Sequence, residues 1–286
     1  MSSRRPLILV TNDDGVDGVG LHALARAMCE CGDVTVVAPN EEYSGYSSAI
    51  GPIWEEHPHV HEAHIDGIDQ VWTVAGPPAL CVMYASLGAF DFRPDIIVSG
   101  VNPGANVGRA VYYSGTIGAA VAGRNYGIPG MAVSQAVDGA SAEGQAWEDV
   151  VAAVDWSVST TVAQQVLNAW WPRLEAPFEP GEAPLLNLNI PATSLDGIKG
   201  WRWADVGHFP RRSLTAVSLR PHPGHLGSFQ VTFEYGQENS MDPATDTAIV
   251  ADDHVSLSYL SEVTAVDRTA SSAGKAVAAS LDDLIG

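Results

Sequence analysis

The stretch Leu7-Ile8-Leu9-Val10-Thr11-Asn12-Asp13-Asp14-Gly15 runs from five β-prone residues straight into turn chemistry. An unbroken apolar run of this length, closed by Asn-Asp-Asp-Gly, reads as a fully buried strand. Two neighbouring carboxylates at the mouth of such a strand repel each other unless a cation or a shared proton lies between them. In isolation the same residues also describe an Asx-type turn with two solvated acids. The rest of the chain favours the metal.

Working outward, Leu21, Leu24, Ala25 and Met28 recur at helical spacing, and Gly32 stops that helix. Val34 to Ala38 is a second buried strand, closed by Pro39-Asn40, which completes a β-α-β unit of parallel type. Residues 51–69 read as loop or short edge strands. Val71 to Val74 is a strand, and Gly76-Pro77-Pro78 opens a helix through Tyr84 and Leu87. Asp95 to Ser99 is another buried strand, followed by a glycine-rich loop from Gly100 to Gly108. A small-residue helix follows from about Thr116 to Tyr126, and Gly118 and Gly123 within it imply that another backbone comes close. After the strand Met131 to Ser134, the spacing predicts one long helix from about Ala146 to Trp170. Its single apolar face carries Trp147, Val150, Val151, Val154, Val158, Val162 and Trp170. Leu185 to Ile190 and Val255 to Leu260 are further strands, residues 200–236 read as β-hairpins outside the repeating pattern, and 271–285 form a last helix.

This order predicts an α/β fold: a Rossmann-like, doubly wound and mostly parallel sheet in three layers, with a β-hairpin and C-terminal extension. The 286 residues, 46% of them hydrophobic, are read as one domain. Its core spans about 6–195, with a β-rich extension and terminal helix over about 196–286. Acidic residues outnumber basic ones 34 to 14, for a formal charge of −20. Such a surface repels nucleic-acid polymers and anionic membranes. A small anion binds only where a metal or oriented amides reverse the local potential. The early apolar run is too short for a signal-peptide core, no stretch reaches membrane-spanning length, and the three cysteines (Cys29, Cys31, Cys81) read as free thiols. The expected compartment is the cytoplasm.

In a sheet of right-handed crossovers, ligands bind outside the carboxyl ends of the strands. Three strands end there in polar loops: Asn12 to Gly15, Asn40 to Gly45, and Asn102 to Gly108. Tyr113-Ser114-Gly115-Thr116 opens the glycine-rich helix, whose unpaired N–H groups suit phosphate. Oxygen donors of this kind favour a hard cation, Mg²⁺ or Mn²⁺, over zinc. Such an ion polarises a phosphoryl oxygen and lowers the pKa of bound water. The histidine run His57 to His64 reads as solvated, and Gly15-x-x-Gly18-x-Gly20 has the wrong spacing for a dinucleotide fingerprint. Arg109 and Arg124 flank the site, with surface pairing to carboxylates as their ordinary alternative.

The ordered set of Thr11 to Gly15, Val37-Ala38-Pro39 with Ser44-Gly45, Gly76-Pro77-Pro78, Pro94 to Asn102 and Tyr113 to Thr116 resembles the SurE family. Gly127-Ile128-Pro129, Leu188 to Pro191 and Thr245-Asp246 extend the resemblance over nearly the whole chain. These proteins are stationary-phase survival proteins and 5′-nucleotidases. The resemblance implies one divalent cation per subunit, Mg²⁺ or Mn²⁺, held by Asp13, Asp14, Ser44 and Asn102. It makes Asp13 and Asp14 the catalytic pair and gives Asn12, Gly45, Asn106, Ser114, Gly115 and Thr116 to the substrate. It implies hydrolysis of nucleoside 5′-monophosphates or related small monoesters, in a homodimer or homotetramer that exchanges hairpin and C-terminal segments. A specialised phosphatase of a secondary-metabolite or sugar phosphate, and a non-catalytic nucleotide binder, are the alternatives. One departure stands out: the second loop carries Glu41 and Glu42 where the family has basic residues, which disfavours multiply charged substrates such as polyphosphate.

Overall fold

A computed structural model of the chain describes residues 4–51, 53, 58–137, 146–208, 212–225, 227–261 and 271–285. In chain order the first elements are β1 (Leu7–Thr11), α1 (Val19–Met28), β2 (Asp33–Pro39), β3 (Val60–Glu62), β4 (Gln70–Val74) and α2 (Pro78–Ser86). Then come β5 (Ile96–Pro103), α3 (Gly115–Arg124), β6 (Gly130–Gln135), α4 (Trp147–Ala152), α5 (Trp156–Trp170) and β7 (Leu185–Ile190). The last are β8 (Gly200–Trp203), β9 (Arg212–Pro221), β10 (Phe229–Glu238), α6 (Asp246–Ala251), β11 (His254–Leu260) and α7 (Ser272–Ile285). One nine-stranded sheet has the order β3-β4-β2-β1-β5-β6-β7-β11-β8, and β9 with β10 forms a separate two-stranded sheet. From β4 to β7 all neighbours are parallel, while β3 and β11 join antiparallel at either side.

The period-two alternation of strand side chains explains why the opening run is apolar throughout. Ile8 and Val10 face one layer with Leu21, Leu24 and Met28 of α1 and Val158 and Leu167 of α5. Leu9, between them, faces the other layer with Leu80 and Val82 of α2 and Ala119 of α3. Both faces of β1 are therefore dry. The crowding expected at the α3 glycines is present: a Cβ on Gly118 would sit 2.0 Å from the Ser47 carbonyl oxygen, and one on Gly123 would meet the Ile97 side chain at 2.6 Å.

Three features differ from the sequence reading. The segment after Ser99 is not wholly loop, because β5 continues through Pro103 and pairs Asn102 with Ser134. The long helix is broken in two. Asp155 has extended backbone and its carboxylate accepts from Ser157 N at 3.0 Å, capping α5, while the Gln135 side chain donates to its carbonyl. Val150 and Val158 are buried as expected, but Trp147 is 43% exposed. Finally, β8 belongs to the main sheet beside β11, so among the described strands only β9 and β10 stand apart, and the short α6 precedes β11.

Candidate active site

The loops after β1 and β2 and the end of β5 meet at the carboxyl edge of the sheet, where main-chain bonds tie the two loops to each other and to the segment before α3. Val16 N donates to Pro39 O (2.8 Å), Tyr43 N to Asp13 O (2.7 Å), and Ser47 N to Tyr113 O (3.1 Å). They enclose a cavity of about 290 Å³ lined by Asp13, Asp14, Ser44, Gly45, Asn102, Asn106 and Ser114, together with Glu42, Tyr113 and Trp147. Asn12, Gly115 and Thr116 are not in that lining; they hold the residues that are. Asn12 is fully buried and donates to Gly15 O at 3.0 Å, fixing the turn. Thr116 Oγ1 donates to Asp13 Oδ1 at 2.6 Å, and Gly115 N donates to Asp13 Oδ2 at 3.1 Å. A Cβ on Gly115 would lie 2.8 Å from Asp13 Oδ2, so only glycine admits the carboxylate here. Ser114 Oγ caps α3 by accepting from Ile117 N at 3.1 Å.

The electrostatics call for a cation. Burial pushes the Asp13 carboxyl above its ordinary range, against the lowering effect of its hydrogen bonds. Burial, then the charges of Asp13 and Glu42, push Asp14 up to about 7. Among the described residues no Lys, Arg or His lines the cavity to offset them. Arg109 donates to the His208 carbonyl, and Arg124 donates to the carbonyls of Ala183 and Leu260; neither lines the cavity. Asn102 donates its amide nitrogen to Gly104 O at 2.6 Å, which leaves its amide oxygen for an ion. Among the described residues no three His, Cys, Asp or Glu side chains gather as metal ligands. An ion here would rest on two carboxylates and the neutral oxygens of Ser44 and Asn102, a donor set that fits Mg²⁺ or Mn²⁺.

A buried polar network behind the cavity was not legible as such in the sequence. Asn106 Nδ2 donates to Ser134 Oγ at 2.9 Å, and Asn189 Oδ1 accepts from Asn106 N at 2.7 Å. Asn187 Nδ2 donates to Asn106 O at 2.9 Å, and Asn189 Nδ2 donates to the same oxygen at 3.3 Å. The signal was two asparagines, two apart, inside the apolar strand Leu185 to Ile190, and hence on one face. Asp246 is also fully buried; its carboxylate accepts from Gly108 N and Gly207 N, each at 2.9 Å, pinning the loop beyond Asn106. Elsewhere, His59 and His61 are exposed and His64 pairs with Asp66 at the surface, while His57 lies outside the described residues. Cys29, Cys31 and Cys81 are free thiols.

A family model described as Survival protein SurE matches residues 8–212. The 5′-nucleotidase SurE of Acinetobacter baylyi is 45% identical over 195 residues, covering 68% of this chain and 68% of the relative. That of Variovorax paradoxus is 34% identical over 256 residues, covering 88% and 90%. The crystal structure of the SurE protein from Aquifex aeolicus superposes with a TM-score of 0.67 at 26% identity, covering 98% of this chain and all of the other.

Proposed function

The chain belongs to the SurE family, and from that premise we propose that it is a divalent-cation-dependent phosphatase that converts nucleoside 5′-monophosphates to the nucleoside and inorganic phosphate. The observation that carries the reading is the pair of buried Asp13 and half-buried Asp14, which shares one cavity with Ser44 and Asn102 and, among the described residues, faces no protein cation. Asp13, Asp14, Ser44 and Asn102 would hold one Mg²⁺ or Mn²⁺ per subunit. When bound, the ion supplies charge for a phosphoryl oxygen and acidifies a water. Asp13, locked by Thr116 and Gly115, keeps one carboxylate orientation through the reaction. Asp14, whose carboxyl burial pushes up to about 7, would hold the ion together with Asp13 as the carboxylate. The Asn106 amide, the Ser114 hydroxyl and the amide around Gly45 offer donors to the transferring phosphoryl group. Glu42, in the cavity lining, repels a second phosphate, which makes short polyphosphate a poor substrate.

The same reading extends to the whole molecule. The hairpin exposes Leu214, Val217, Leu219, Phe229 and Phe233, an apolar surface suited to pairing copies of the chain as a dimer or tetramer. Residues 1–286 act as one unit, with the hairpin and terminal helix serving assembly. The free thiols suit the reducing cytoplasm. No described helix is long and apolar enough to cross a membrane.

The test is phosphate release from adenosine 5′-monophosphate with Mn²⁺, Mg²⁺ or a chelator. Ion-dependent release abolished by the chelator is expected. Ion-independent release, or none under any condition, overturns the proposal.

A further inference from the structure

The cavity holds an aromatic residue that phosphate chemistry does not explain. Trp147, the first residue of α4, lines the same space as Asp13, Asp14, Ser44 and Asn102 while 43% exposed. One turn further on, Val150 is buried, which anchors this end of the helix. Tyr113, beside the Ser114 cap, lines the cavity too and is 68% exposed. Core packing therefore does not account for either ring. The inner lining is carboxylate, hydroxyl and amide, and suits the phosphoryl end of a substrate. The rings suit what the phosphate is attached to.

We propose that Trp147, with Tyr113, is the platform on which the planar base of the nucleotide stacks, and that it sets the preference of this enzyme for nucleotides over phosphate esters that lack an aromatic base. This rests on the phosphatase reading above. Every base presents a π-face, so stacking selects nucleotides as a class with little discrimination among them. Trp147 touches neither the phosphoryl group nor the ion in this scheme; it is a specificity residue.

The experiment compares kcat and KM for adenosine 5′-monophosphate, ribose 5-phosphate and phosphocholine, with Mn²⁺, in the native enzyme, Trp147→Leu and Trp147→Phe. In Trp147→Leu the ratio of kcat/KM for the nucleotide to that for ribose 5-phosphate is expected to fall by about tenfold or more, mainly through KM. Trp147→Phe is expected to recover most of it. The proposal is overturned if both substrates change in parallel, or if the nucleotide is unaffected. A larger loss on phosphocholine than on the nucleotide also overturns it, because it would mark a site for a cationic group held by cation–π attraction. A native enzyme that hydrolyses ribose 5-phosphate as well as the nucleotide sinks the platform and leaves the phosphatase standing; no turnover of any ester sinks both.

Discussion

Single side chains decide the chemistry here, and their partners decide what they can do. Asp13 accepts from Thr116 and Gly115, so Asp13→Asn puts an amide N–H where donors converge and removes half of the carboxylate pair. Activity on adenosine 5′-monophosphate should drop about a hundredfold or more, while circular dichroism stays native. Near-native turnover would count against the site. Asp14 gives a pH signature. Burial, then the charges of Asp13 and Glu42, push its carboxyl up to about 7, so an incoming cation should displace a proton below that pH. Mn²⁺ affinity measured by calorimetry should therefore weaken as pH falls through about 7; a flat profile from pH 8 to 5 would refute this. Asn189 brackets the Asn106 peptide through both N–H and C=O. Asn189→Ala leaves a buried N–H without its acceptor and should cost about 1–3 kcal/mol in denaturant titration, together with a raised KM.

At the scale of elements, the site depends on how closely α3 approaches the loop that carries Ser44 and Gly45. Gly118 permits that approach, and the Ser47–Tyr113 main-chain bond fixes it. Gly118→Ala places a methyl into the Ser47 carbonyl, so helix and loop must separate. Destabilisation of about 1–3 kcal/mol is expected despite the better helix propensity of alanine. A stabilised variant with unaltered kinetics would show that the contact is slack. The break between α4 and α5 has the opposite lesson for sequence reading. Apolar spacing continued smoothly from Trp147 to Trp170, yet Asp155 adopted a cap, a competition between side chain and backbone that periodicity does not register.

At the scale of the molecule, two exposed apolar regions among the described residues are the hairpin and a groove of about 740 Å³ near the β8 edge, lined by Trp170, Trp201, Trp203 and Tyr259. The groove has no acid or base at hand, so its size does not make it a catalytic site. Under the proposed assembly, both regions are candidates for contacts between copies of the chain. Val217 and Phe233 are register partners in the hairpin and both are more than half exposed. The double change Val217→Asp with Phe233→Asp should convert an oligomer to a monomer in light scattering. An assembly unchanged by it would place the interface elsewhere.

The amino-acid sequence by itself determined the layered α/β plan, because strand burial and turn chemistry are local and periodic. It also marked the polar loops that end β1, β2 and β5. Only the tertiary structure decided which residues face the cavity and which brace it. Thr116 reaches Asp13 across 103 positions, and Gly108 reaches Asp246 across 138. Such pairings follow from how strands are ordered in the sheet, and no window of neighbouring residues encodes them. For the same reason Trp147 read as one more core position until the break before α5 left its helix end at the rim of the site.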